Sequence, residues 1–198
     1  MTIVVAYQGE PGAFSELAIV ALWGSNATPL PCAHFADVVA AVEEGRAELG
    51  MLPTENSIAG PVREARAAIG ASSLTVVRTS ALPIHLSLLA LPGATLESLR
   101  SVESHPVALR QCTEFLRAHP HLAAREAGDT AGAAREVATA GDTTRGAIAS
   151  SRAGVLNGLI TIAEGLEDRA DNVTQFAIIA RDAATHPAER ARRPQPAR

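Results

Sequence analysis

The chain has 198 residues, 47% of them apolar, enough for one domain or two small lobes around a real core. A formal charge of -4 and 3% aromatic residues argue against a nucleic-acid surface, which needs a basic face with stacking rings. Lysine is absent, which excludes a lysine Schiff base, a P-loop lysine and a pyridoxal attachment point. Cys32 and Cys112 match no metal or redox spacing and read as buried small hydrophobes. There is no basic leader and no apolar run of bilayer length, so the expected location is cytoplasmic, without a membrane partner.

Residues 3–7 read as a strand. Gln8-Gly9-Glu10-Pro11-Gly12 is a turn, and a helix over about 13–23 lines up Phe14, Leu17, Ala18, Ala21 and Leu22. Ser15 and Glu16 lie in its first turn, where unpaired N–H groups attract anions. A strand at 30–33 and a helix carrying Phe35, Val38, Val39 and Val42, closed by Gly45, repeat the plan. A third strand at 49–52 ends in the polar cluster 53–60, before a helix beginning near Pro61. Polar groups at the carboxyl ends of strands are where open α/β sheets bind ligands. Asn56 and Ser57 suit that role and suit helix capping equally.

Strands at 74–78 and 82–91 follow, with Thr79-Ser80-Ala81 between them as a crossing from one lobe to the other. His85, in the second run, reads as a structural group. Ser104 and Pro106 then read as N-cap and first-turn residue of one helix carrying Leu109, Cys112, Phe115 and Leu116. His105 between them suits either acid–base work or a place beside the cap. Gly128-Asp129-Thr130-Ala131 and the tiny-residue run 146–151 are further strand-to-helix corners. A strand at 159–162 leads to Asp171-Asn172-Val173-Thr174-Gln175-Phe176, which runs into the apolar 177–180 as a late strand. Thr174 there is either a β-branched strand residue or a hydroxyl poised beside an amide and a ring. From 183 onward Ala, Pro and Arg dominate without apolar period, the pattern of a disordered basic tail.

Every polar cluster falls at a strand–helix corner. None holds a dinucleotide fingerprint, a Walker sequence, HExxH or a Ser/Cys nucleophile signature. No clustered carboxylates suggest a metal site, so neither metal nor cofactor is expected. Hydroxyls, amides and helix-start N–H groups orient a small anion and stabilise developing negative charge. Two functions fit: a small-anion binding module, or an enzyme whose substrate supplies most of the driving force.

Six segments carry a resemblance. They are 6–15 (AYQGEPGAFS), 52–60 (LPTENSIAG), Ser104-His105-Pro106 with Ala108 and Gln111-Cys112, 129–134 (DTAGAA), 147–150 (AIAS) and 171–176 (DNVTQF). In this order and at these distances the chain resembles the catalytic domain of prephenate dehydratase over about residues 4–181. The resemblance implies an α/β fold of two lobes, like type II periplasmic binding proteins, with the active site in the inter-lobe cleft. The catalytic domain would cover 1–182, with lobe 1 made of 1–79 plus 171–182 and lobe 2 of 80–170. It implies a homodimer that converts prephenate to phenylpyruvate, water and carbon dioxide in phenylalanine biosynthesis. Aromatisation drives that reaction, so the protein has only to hold two carboxylates and assist a departing hydroxyl. By resemblance Thr174 assists that departure, with Glu55 and Asn56 as its catalytic neighbours. Ser57, Ser104, Gln111, Thr130, Ala131, Gln175 and Phe176 would line the substrate site.

Two departures stand out. Gln175 occupies the place of the arginine in the family's Thr-Arg-Phe, which removes a fixed charge and charge-assisted hydrogen bonds. Restoring that arginine is expected to raise turnover or tighten binding. The chain also stops before a regulatory ACT domain, so no inhibition by phenylalanine through such a domain is expected. The alternatives are a non-aromatising prephenate decarboxylase, an arogenate dehydratase and an inactive small-anion binding protein. Retention of Glu55-Asn56-Ser57 and Thr174 favours dehydration.

Overall fold

A computed structural model describes residues 2–182, so the tail expected from 183 lies outside the described residues. The chain first lays down β1 (Ile3–Gln8), α1 (Phe14–Trp23), β2 (Ala27–Cys32), α2 (Phe35–Glu43) and β3 (Leu49–Asn56). Then come β4 (Gly60–Pro61), α3 (Arg63–Gly70) and β5 (Thr75–Pro83). A second set follows: β6 (Ser87–Ala90), β7 (Ser101–Ser104), α4 (Pro106–Arg110), α5 (Thr113–Ala118) and β8 (Ala123–Glu126). It continues with α6 (Thr130–Ala140), β9 (Arg145–Ala149), α7 (Ser151–Leu156) and β10 (Ile160–Ala163), before β11 (Val173–Ala180).

Two mixed sheets result. The first runs β2-β1-β3-β11-β5, with β4 on the end of β3; the second runs β10-β6-β9-β7-β8. In the first, β1 pairs in parallel with β2 and β3, while the late strand β11 inserts antiparallel between β3 and β5. An interior position buries both faces, which is why 177–180 form an unbroken apolar run. One core packs α2 and α3 against the first sheet through Val38, Val42, Leu52 and Ala65. Another packs α4 and its neighbours against the second through Leu88, Val102, Leu109 and Ile148. A third spans the lobes, joining Val5, Tyr7, Met51 and Ile178 to Ala131, Val137, Ala147 and Ala149.

Several boundaries differ from the sequence reading. β3 continues through the polar residues to Asn56, because β11 supplies hydrogen-bonding partners along its whole second half. Pro61 belongs to β4, and α3 begins at Arg63. Thr79-Ser80-Ala81 is no crossing: β5 pairs with β11 from Thr75 to Pro83, and the chain changes sheets only after Pro83. The helix expected after Ser104 breaks at Gln111 and Cys112 into α4 and α5, and Asp168 accepts the freed N–H groups of Thr113 and Glu114. Cys112 is buried as expected, but Cys32 is only half-buried. His85 pairs with Glu167 through Nδ1 at 2.9 Å.

The lobes are also fastened beside the cleft. Ser150 Oγ donates to Gly12 O at 2.6 Å, and the Glu16 carboxylate accepts from Arg152 at 2.9 and 2.6 Å. Glu16 Oε2 takes the Gly12 N–H at 2.6 Å and the Tyr7 hydroxyl at 3.4 Å, so this 4%-exposed carboxylate is well partnered. Burial and the facing Glu16 push the Tyr7 hydroxyl far above its ordinary range. Gly12 has a φ of +94°, and a Cβ there would stand 2.6 Å from Ala153 Cα.

Gly12→Ala is therefore expected to destabilise the fold by about 3 kcal/mol, through strain at positive φ plus overpacking. Urea denaturation reads this directly, and a midpoint equal to the parent's would mean that the contact yields without cost. Burial, with Asp168 and Glu167 nearby, pushes the Cys112 thiol up to about 12. DTNB should therefore label Cys32 in the native protein and reach Cys112 only on unfolding. Rapid native labelling of both thiols would contradict that burial.

Candidate active site

Antiparallel pairing of β11 with β3 places Thr174 directly across from Asn56. Asn56 Nδ2 donates to Thr174 Oγ1 at 3.0 Å and to Asn172 Oδ1 at 2.8 Å. Asn172 Nδ2 donates to Gln111 Oε1 at 3.2 Å, and Gln111 Nε2 returns to Asn56 Oδ1 at 3.1 Å. The three amides thus close a hydrogen-bonded ring. It joins the end of β3, the residue leading into β11 and the residue that ends α4 in the other lobe. Asn56 Oδ1 also accepts the N–H groups of Ile58 and Ala59, which fixes the turn into β4. All three amides are at least nine-tenths buried, where an unpaired polar group costs about 1–3 kcal/mol. Because Thr174 Oγ1 accepts from Asn56, its own proton remains available to a bound group.

Thr174 lies on the wall of a cavity of about 480 Å³ between the lobes, a size suited to a small metabolite. The first lobe contributes Gln8, Ser15, Phe35, Asn56, Glu64 and Phe176, and the second His105, Gln111, Asp129 and Thr130. Two helices of ten and eleven residues, α1 and α6, begin on this wall. Their first N–H groups lack intrahelical partners and favour anions. Asp129 caps α6, its Oδ1 accepting the Gly132 N–H at 2.7 Å. Among the described residues the wall carries no arginine; its ionisable side chains are Glu64, Asp129 and His105. No group of three or more His, Cys, Asp or Glu among them is placed to hold a metal ion. No described helix is long and apolar enough to cross a membrane.

The structure brings Asn56, Gln111, Thr130, Thr174 and Phe176 onto one wall and places the other candidates elsewhere. Glu55 is turned outward and pairs with Arg66 Nη2 at 2.6 Å, both about half exposed. Ser57 stitches the β3–β4 turn to β11, donating to Asp171 O and accepting from Val173 N–H. Ser104 is fully buried, its Oγ donating to Ile148 O of β9; the cap of α4 is His105 instead. Ala131 is buried in the core between the lobes. Gln175 is exposed and stands opposite Glu55, as strand alternation requires once Thr174 faces inward. An arginine at 175 would therefore face Glu55 across the strand pair and share it with Arg66. Sequence reasoning gave Asn172 no role of its own, although its place two residues before Thr174 on an extended segment puts both on one side. Nothing in the sequence pointed to Glu64, which reaches the wall from the start of α3, a segment tied back to β3 by Arg66 Nε donating to Thr54 O.

Residues 5–184 match the prephenate dehydratase family. The chain belongs to it. Arogenate dehydratase 1 of Petunia hybrida is 42% identical over 182 residues, covering 91% of this chain and 43% of the relative. A bifunctional N-acyl-homoserine lactone acylase/prephenate dehydratase of Komagataeibacter europaeus is 40% identical, covering 93% of this chain and 65% of the relative. The chain thus spans less than two-thirds of the length of these curated relatives. Among solved structures, the prephenate dehydratase of Arthrobacter aurescens in complex with L-Phe superposes with a TM-score of 0.84 at 28% identity. That match covers 91% of this chain and 61% of the other. At the level of fold alone, a nutrient binding protein of Burkholderia cenocepacia is similar, with a TM-score of 0.51 at 10% identity over 96% of this chain and 89% of the other. The two-lobed, binding-protein-like α/β architecture is therefore the family's own.

Asn56→Ala would open the amide ring and strand the Ile58 and Ala59 N–H groups. It is expected to cost about 2–3 kcal/mol of stability, read as a lower urea midpoint. A change below about 0.5 kcal/mol would show that water replaces the ring without loss.

Proposed function

We propose that this protein is a prephenate dehydratase acting in phenylalanine biosynthesis. The observation that carries the reading is the Thr174 hydroxyl on the cavity wall, held as an acceptor by Asn56 and so left with a proton to donate. In the reaction the bond between the ring and its carboxylate breaks. Its electron pair enters the ring and expels the C4 hydroxyl, giving phenylpyruvate, carbon dioxide and, with one proton from solvent, water. Thr174 hydrogen-bonds the departing oxygen as negative charge develops on it. The starts of α1 and α6, on opposite sides of the cavity, offer N–H groups to two carboxylates. Phe14, Phe35 and Phe176 supply apolar wall for the ring. Support comes from the family membership together with this arrangement of weak donors.

A second reading, arogenate as substrate, is favoured by one observation. Glu64 and Asp129 put two carboxylates on a wall that carries no arginine among the described residues, and arogenate carries an ammonium where prephenate has a keto oxygen. Incubation with each acid separately, followed by absorbance of phenylpyruvate in alkali or chromatography of phenylalanine, decides between them.

With the preferred acid, Thr174→Ala is expected to lower kcat at least about 100-fold, and Thr174→Ser to retain part of the activity. Full turnover by Thr174→Ala would remove the threonine from the mechanism.

A further inference from the structure

Among the described residues, His105 is the one side chain on the cavity wall able to carry a positive charge. Its orientation is set by its own helix. The backbone is extended before Pro106, and Nδ1 accepts the Val107 N–H at 3.2 Å as the N-cap of α4. An accepting Nδ1 places the ring proton on Nε2. Nε2 has no protein partner among the described residues. The charged groups around the ring come from each neighbouring element: Asp129 at the start of α6, Glu126 at the end of β8, Glu64 on α3 and Arg110 on α4 itself. Burial outweighs the three carboxylates and lowers the imidazole below its ordinary value, so the ring meets a ligand as a neutral donor.

We propose that His105 is a substrate-binding residue of this cavity, donating from Nε2 to a carboxylate of the bound acid beside the start of α6. The identity of that acid rests on the dehydratase reading; the contact itself rests on the wall geometry. A neutral donor among carboxylates is a selective anion ligand. It gives the free cavity no positive charge, and it gains one when an anion arrives. An anion against Nε2 favours the imidazolium, so ligand binding raises the His105 pKa and takes up part of a proton. Affinity then increases as pH falls through the bound-state value and levels off below the free-state value.

The capping role and the binding role separate cleanly. Serine is a favoured N-cap whose hydroxyl sits on the first side-chain carbon, so His105→Ser keeps the helix start and removes the donor from the position of Nε2. Thermal unfolding of this variant should match the parent's, while KM for prephenate rises about tenfold or more and kcat stays within about twofold. A KM equal to the parent's overturns the assignment and leaves His105 a cap alone. Loss of the parent's downward pH dependence of KM in the variant is the accompanying signature. A parent that turned over neither prephenate nor arogenate would end the dehydratase reading on its own. The contact would then be read from the 15N shifts of the His105 ring, titrated with and without prephenate. A titration moved to higher pH by the acid supports the contact, and an unmoved one overturns it.

Discussion

Three buried amides that must satisfy one another hold this molecule to a single arrangement. Asn56, Asn172 and Gln111 each give and take a hydrogen bond within their ring, and each comes from a different part of the chain. Remove one and the others keep their desolvation cost without their partner. The ring therefore couples three decisions: where β3 ends, where β11 begins, and how far α4 runs before it breaks. Thr174 inherits its position from this constraint, because the same Asn56 amide that closes the ring also donates to its hydroxyl. A weak donor is placed by a strong local requirement.

The rest of the cleft follows the same economy. Both lobes share an alanine-rich core, Ser150 and Ala153 meet Gly12 in the loop before α1, and Arg152 binds Glu16 in the first turn of α1. The starts of α1 and α6 both lie on the cavity wall, one from each lobe. Fixed arginine charge is used for joining instead: Arg152 with Glu16 between the lobes, Arg145 with Glu103 within the second sheet, and Arg66 with Glu55 on the surface. Among the described residues the cavity keeps hydroxyls, amides, helix starts, one histidine and the carboxylates of Glu64 and Asp129. Such a set suits a reaction whose product ring supplies the driving force, since positioning and one hydrogen bond to a leaving oxygen then suffice.

Helix and strand periods were legible in the sequence because local patterning follows burial: the runs around 3–8, 49–52 and 173–180 and the helices at 14–23 and 35–43 all emerge from it. What blurred were polar strand segments. The second half of β3 and the middle of β5 carry Thr, Glu, Asn and Ser, which read as turns, and only pairing with β11 makes them strands. A strand made so much later in the chain cannot be anticipated from the local pattern of its partners.

By itself, then, the sequence determined the alternating α/β plan, the absence of lysine chemistry and the set of motifs that mark the family, because these depend on composition, period and order along the chain. Only the tertiary structure decided which motif residues share a cavity. Strand alternation sends Thr174 inward and Gln175 outward, a two-residue cap puts His105 on the wall and hides Ser104, and a bend at the end of α4 delivers Gln111 to Asn56. Facing is a property of pairing between distant segments, and a one-dimensional string does not contain it until those segments have met.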